Sequence, residues 1–222
     1  MRLNKYIAHA TGVSRRQADE IIESGSVSVN GATAGLGRSI NEDTDVVLLG
    51  GKVLKLPKEA TTILMNKPVG YVCSRRAQGK GVKTIYELLS DEYKTLKTVG
   101  RLDKDSSGLI MLTDDGDLAF QLTHPKYHKE KQYLVALDKN LSVTDERLIS
   151  DNGVEIGDGL SRLGLECLNN NRHTWRVTMS EGRNRQIRRT FAALGYTVVK
   201  LHRIKFGEYE IGELKAGEVR RI

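Results

Sequence analysis

Gly100-Arg101-Leu102-Asp103-Lys104-Asp105-Ser106-Ser107-Gly108-Leu109-Ile110-Met111-Leu112-Thr113 runs from a polar loop bracketed by glycines straight into an apolar stretch. Residues 109–113 have the length and composition of a buried strand. Asp114-Asp115-Gly116 turns the chain, and Leu118, Ala119 and Leu122 then put an apolar face on a helix. A carboxylate in a loop pinned at the mouth of a rigid strand is well placed for chemistry. The same residues also suit a plain turn, with Asp103 and Asp105 as capping acids beside solvated Arg101 and Lys104.

Working outward, strands are expected at residues 63–65, 71–73, 133–137, 163–167, 174–179 and 197–206. Helices are expected after a Thr84 cap through Leu89, and over residues 184–194, stopped by Gly195. Short strands interleaved with isolated helices indicate an α+β domain, its sheet mixed and mostly antiparallel, flanked by helices. Toward the N-terminus the pattern changes. Leu3, Tyr6, Ile7 and Ala10 recur at helical spacing up to Gly12, and Ser14 with Gln17 makes a capping box for a second helix carrying Ala18, Ile21 and Ile22. Gly25 closes that helix; Val27 and Val29 lead into the tight-turn pair Asn30-Gly31, and residues 45–49 read as the returning strand. These form a small α/β module over residues 1–57, with a linker at 58–62 beyond Pro57 and a larger domain over 63–222.

Composition narrows the function. The 222 residues include 35 Lys plus Arg and 28 Asp plus Glu, a net charge of +7. Nine basic residues and one acid fall within residues 172–205, so that segment is locally +8 and the remainder −1. Such a field points to a polyanion, nucleic acid before membrane. No apolar run approaches the roughly 18 residues of a span, and Met1-Arg2-Leu3-Asn4-Lys5 lacks the apolar centre of a secretion signal, so a cytoplasmic location is expected. Cys73 and Cys167 fit no metal spacing and are expected as small core residues, so no metal site is expected. Phosphate-loop, hydrolase-elbow, zinc-protease and dinucleotide motifs are all missing from the sequence.

The basic segment centres on Glu181-Gly182-Arg183-Asn184-Arg185-Gln186-Ile187-Arg188-Arg189. On a helix starting near Asn184, Arg185, Arg188 and Arg189 would share one face. That comb suits bidentate phosphate contacts or the holding of a carboxylate in its ionised form; a merely solvated basic face is the plainer alternative.

These stretches together resemble the pseudouridine synthases, in particular the ribosomal branch of the RsuA/RluB type. Gly100-Arg101-Leu102-Asp103 followed by Ser106 and Gly108-Leu109 resembles the family's G-R-L-D-x-x-[ST]-x-G-L signature. Asn66-Lys67-Pro68-Val69-Gly70 is similar to its N-K-P-x-G motif, Lys131-Gln132-Tyr133 to its K-x-Y motif, residues 181–189 to its arginine-rich motif, and Leu201 to the leucine of its last motif. Ser106 replaces a frequent threonine and Asp114 a frequent asparagine. Residues 1–57 resemble an S4 RNA-binding module through Arg2-Leu3, Ser14-Arg15-Arg16-Gln17-Ala18, Gly25 and Val27-Ser28-Val29-Asn30-Gly31.

The resemblance implies cofactor-free isomerisation of uridine to pseudouridine in ribosomal RNA, by a monomer, on a nucleotide flipped out of its stack. Asp103 would be the catalytic carboxylate, acting either by covalent addition to the sugar or as a base at C2′. Arg188 would pair with it, and Tyr133 would stack on the base and assist at C5. Arg101, Leu102, Ile187 and Leu201 would form the substrate pocket. RNA contacts would come from Arg2, Lys5, Arg15 and Arg16 on the N-terminal module, and from Asn66, Lys67, Arg183, Asn184, Arg185, Gln186, Arg189, Arg203 and Lys205. A non-catalytic S4-type protein of ribosome assembly is the competing class, and a synthase acting on tRNA a lesser one.

Overall fold

The computed structural model describes residues 1–57, 59–75, 79 and 81–222, so Lys58 of the expected linker lies outside the described residues. Chain contacts divide it into two units, residues 1–61 and 62–222.

The first unit opens with α1 (Leu3–Thr11) and α2 (Arg15–Glu23). Gly12 ends α1 at φ 77°, and Ser14 caps α2, its hydroxyl accepting from the Gln17 amide while the Gln17 side chain accepts from the Ser14 amide. Such caps contribute about 1 kcal/mol. The helices pack on a four-stranded sheet, β2-β1-β3-β4, made of β1 (Val27–Val29), β2 (Ala32–Thr33), β3 (Val47–Leu49) and β4 (Lys52–Val53). Leu3, Tyr6, Ile7, Ala18, Ile22, Val27, Val29 and Val47 form its core. The last strand, β4, carries only two residues and no alternation to announce it.

The second unit is built on a nine-stranded sheet. Its spine is β13 (Gly164–Cys167), β14 (Thr174–Met179), β10 (Lys131–Leu137), β15 (Val198–Phe206), β9 (Ser107–Thr113), β5 (Thr62–Lys67) and β17 (Val219–Arg221); β8 (Lys97–Val99) adds to β9 and β16 (Tyr209–Glu210) to β15. Two small pairs, β6 (Tyr71–Val72) with β7 (Lys83–Thr84) and β11 (Val154–Glu155) with β12 (Leu160–Ser161), lie apart from it. Within the nine-stranded sheet only β9 with β15 is parallel, the other pairs being antiparallel.

β5 and β9 are buried along nearly their whole length without alternation, because both faces of the sheet are covered there, whereas β10 and β14 alternate. From β9, Ile110 and Leu112 enter one core with Val135, Trp175, Val177, Ile187 and Phe191, whereas Leu109 and Met111 enter a second with Leu64, Val99, Leu122 and Phe206. The first core lies under α5 (Gln186–Ala193), and α3 (Gly116–Thr123), capped by Asp115, contributes Leu122 to the second. A short α4 (Val143–Arg147) follows β10. The expected helix after Thr84 is one 3-10 turn, Ile85–Leu88, with Glu87 completing the cap. Cys167 corrects its expectation: it is exposed on the edge strand β13, whereas Cys73 is half-buried.

Candidate active site

The loop ahead of β9 is held from five sides. Gly108 has φ 106° and so little room that a Cβ there would stand 2.2 Å from the Arg203 carbonyl oxygen; glycine alone permits β9 to approach β15 so closely. Lys67, wholly buried, donates from Nζ to the Ser106 carbonyl at 2.6 Å and the Pro68 carbonyl at 3.0 Å. The Gly70 amide donates to the Lys104 carbonyl at 2.7 Å. Cys73 Sγ accepts from the Leu102 amide and donates to the Leu102 carbonyl, each at 3.4 Å. Arg188 Nη2 donates to the Asp105 carbonyl at 3.0 Å and to Ser106 Oγ at 3.4 Å, while its Nη1 holds the Val198 carbonyl at 2.7 Å. A loop tied to β5, to the two ends of β6, to β15 and to α5 presents Asp103 in one place, its side chain 39% exposed.

Asp103 opens on a cleft of about 690 Å³ whose lining includes Arg101, Leu102, Tyr133, Ile187, Leu201 and Arg203. Tyr133 on β10 lies opposite Val177 and Arg203, and Leu201 on β15 lies opposite Val135, so sheet register brings the tyrosine and leucine to one wall. Ile187, from the first turn of α5, supplies another apolar surface. Arg203, also in the cleft lining, is 3% exposed; Nε donates to the Leu109 carbonyl at 2.7 Å, the guanidinium lies 4.9 Å over the Phe206 ring, and Nη2 has no hydrogen-bond partner among the described residues.

The charge pairing differs from the expectation for Arg188. Arg185 Nη1 donates to Asp103 Oδ2 at 3.2 Å, and the same guanidinium grips Asp105 through both nitrogens at 3.2 and 3.1 Å. Arg188 faces Asp105, with Nε 3.3 Å from its carboxylate. The reason is where the helix begins. Arg185 is not in α5 but precedes it in the left-handed conformation, φ 47° and ψ 31°, which turns its side chain toward the loop rather than along the helix face. For Asp105, burial pushes the carboxyl up, but the Arg185 hydrogen bond and the Arg188 and Arg185 charges outweigh it, and the group ends below the usual carboxylate range. The Asp105 hydrogen bond in turn raises Arg185.

Residues 61–193 match the family model of RNA pseudouridylate synthase, and residues 1–46 match that of the S4 domain. The chain belongs to the RNA pseudouridylate synthase family. This synthase is 36% identical over 226 residues to the ribosomal small subunit pseudouridine synthase A of Pasteurella multocida (strain Pm70), covering 100% of this chain and 96% of that protein. It is 35% identical over 227 residues to the ribosomal large subunit pseudouridine synthase B of Bacillus subtilis (strain 168), covering 100% and 91%. Among solved structures, a pseudouridylate synthase superposes with a TM-score of 0.70 at 35% identity, covering 100% of this chain and 96% of the other.

Several residues expected to touch RNA have structural partners within the synthase, though Arg183, Arg185 and Gln186 also line the cleft. Lys67 and Gln186 are buried: burial pushes the Lys67 ammonium down, partly offset by Cys73, Asp103 and Asp105, and Gln186 donates to Ser161 Oγ at 3.1 Å and Glu181 at 3.0 Å. Asn66, also buried, donates to the Leu214 carbonyl at 2.7 Å. Arg183 is bound to Glu181 at 2.9 Å and Asp158 at 3.1 Å; Arg189 is bound to Asp158 at 2.7 Å and to the Ile156 carbonyl at 3.0 Å. Arg189 and Lys205 stand outside the cleft lining, Lys205 lying 3.6 Å from Glu210, whereas exposed Asn184 lines the cleft. The arginine comb is therefore mostly a set of internal clamps.

In the first unit, Arg2, Asn4, Arg15, Gly37 and Arg38 line a separate hollow of about 320 Å³. Arg2 donates to the Gly37 carbonyl and Arg15 to Asn4 Oδ1 at 3.3 Å; Arg16 is exposed on α2, and Lys5 is half-buried on α1. Arg38 has no helical neighbour in sequence to single it out. Sequence reasoning assigned Asp105 and Cys73 no part in the site, and did not single out the cleft rim at His124, His128 and Lys129. What joins the cleft residues to Asp103 is proximity in space, which sequence spacing does not carry. Among the described residues no group of three His, Cys, Asp or Glu side chains could hold a metal, and no helix is long and apolar enough to cross a membrane.

Proposed function

We propose that this synthase isomerises uridine to pseudouridine in ribosomal RNA, with Asp103 as its catalytic carboxylate. What carries the reading is one cleft in which a fixed, half-exposed carboxylate meets Tyr133, Ile187 and Leu201 from three distant segments of chain. The reaction breaks the bond from N1 to C1′, turns the uracil in place and joins C1′ to C5; the C5 proton is lost and N1 gains one, so nothing is consumed. A cleft of this size accepts a flipped nucleotide, whose removal from the stack costs about a few kcal/mol.

An ionised Asp103, steadied by Arg185, serves either covalent addition to the sugar or proton removal at C2′. Tyr133, in the cleft lining, serves to stack on the base and to assist where C5 loses its proton. Ile187, Leu201 and Leu102 keep the freed uracil from water and from diffusing away. Arg185 and Arg188, through Asp105, position the loop, and the basic hollow of the S4-type unit adds phosphate contacts that raise the residence of the enzyme on its RNA. Ribosomal RNA is supported as substrate by the names of the full-length relatives.

The test is Asp103→Asn. Isomerisation, followed by tritium release from C5-labelled uridine in rRNA transcripts, is expected to vanish while RNA affinity stays within two-fold. Retained turnover in this variant overturns the assignment.

A further inference from the structure

One rim of the cleft carries aromatic surface that no core explains. Phe120 on α3 is 43% exposed and Tyr127, just past the helix, 39% exposed. With His124 they form a single ring cluster: Phe120 to His124 is 4.6 Å between centroids, tilted, and Phe120 to Tyr127 is 5.8 Å, edge to face. Of the residues of α3, Leu122 is the one fully buried, so Phe120 is not needed to anchor the helix. Lys126 folds back over both exposed rings, its Nζ 5.0 Å from the Phe120 centroid and 4.7 Å from that of Tyr127.

The cluster is continuous with the site, because His124 and Pro125 line the same cleft as Asp103 and Tyr133, followed by His128 and Lys129. Exposed rings beside cations, at the mouth of a cleft that takes a nucleotide, match unpaired nucleic acid: each base offers a π face and each linkage a phosphate. A folded helix of RNA offers neither ring face, and an acidic protein segment would use the cations but leave the rings bare.

We propose that Phe120, His124 and Tyr127 form a stacking platform for an unpaired base flanking the target uridine, with Lys126 leaving the rings to take that base's phosphate. The inference rests on reading the cleft as the uridine site. It makes the region around the target single-stranded on the platform side, so that the enzyme selects loops and bulges rather than paired uridines.

Two measurements on the full chain test it. The first is filter binding of small- and large-subunit rRNA transcripts to Phe120→Leu and Tyr127→Leu, which keep apolar bulk and lose the ring, and to Tyr127→Phe, which keeps it. Each leucine variant is expected to bind roughly five-fold or more weakly, the loss of one stacked base, and Tyr127→Phe like the unaltered protein; leucine variants binding within two-fold overturn the platform. The second uses no variant: transcripts carrying 5-iodouridine are photocrosslinked, and the peptide containing residues 120–127 is expected among the products. Crosslinks confined to other peptides overturn it. Isomerisation by the unaltered protein is scored on the same transcripts, so a failed platform with turnover intact is distinguished from failure of the uridine-site reading itself.

Discussion

Gly108→Ala examines how the loop that carries Asp103 is held. The added Cβ would lie 2.2 Å from the Arg203 oxygen, 2.5 Å from its nitrogen and 2.9 Å from its carbonyl carbon, all backbone atoms, where ordinary contact begins near 3.4 Å. Arg203 cannot retreat freely, since it is paired to Tyr133 on the far side. Gly108 cannot retreat either without giving up the junction of β9 with β15, which consists of only two register pairs, His202 with Ser107 and Arg203 with Gly108. The φ of 106° adds a conformation that alanine resists at about 1–2 kcal/mol, and overpacking adds about 1–3 kcal/mol. Together these give roughly 2–5 kcal/mol, which for a unit of this size lowers Tm by roughly 5–15 °C.

Trp175 is the sole tryptophan and is wholly buried in the same unit, so its fluorescence during thermal or urea unfolding reads the effect directly. Gly100→Ala is the matched control. Gly100 also has positive φ, 69°, but the nearest atom to its Cβ is Thr123 Cγ2 at 3.7 Å. It should lose only the backbone part, about 1–2 kcal/mol. If Gly108→Ala unfolds no more easily than Gly100→Ala, the close approach of the two strands is not what fixes the loop.

Asp105→Asn should lower stability at neutral pH and flatten the acid limb of the stability curve. The folded carboxyl sits below its unfolded value of 3.8, so its contribution is complete above 3.8 and disappears as the pH falls through the folded pKa. The two proteins should converge in acid by Trp175 fluorescence; a constant gap across the range refutes the ion network. For RNA binding, Arg189→Gln should leave the slope of log affinity against log salt unchanged, because Asp158 and the Ile156 carbonyl already hold that side chain. Exposed Arg16→Gln should instead reduce the slope by roughly 0.7, the share of one phosphate contact on single-stranded RNA. A full contact's loss in the Arg189 variant would restore the comb as a phosphate clamp.

The amino-acid sequence by itself determined the main elements and the chemistry-bearing segments, but not short strands such as β4, β8 and β17. The apolar run at residues 109–112 and the cap at Ser14 with Gln17 are local features, and local backbone physics is enough to read them. The motifs also placed Asp103, Tyr133, Ile187 and Leu201 in one reaction before their meeting in one cleft could be seen. Which arginine meets which carboxylate was decided only in three dimensions. Arg185 takes a left-handed conformation at the edge of α5, and this puts Arg185, not Arg188, on Asp103. The burial of Lys67 and Arg203 was equally hidden, since a long basic side chain reads as solvated until carbonyls from distant strands are found to receive it. Sequence fixes which side chains exist and the local path of the chain; the partner of a charge depends on a few ångströms between segments some 80 residues apart, and only the packed sheet sets that distance.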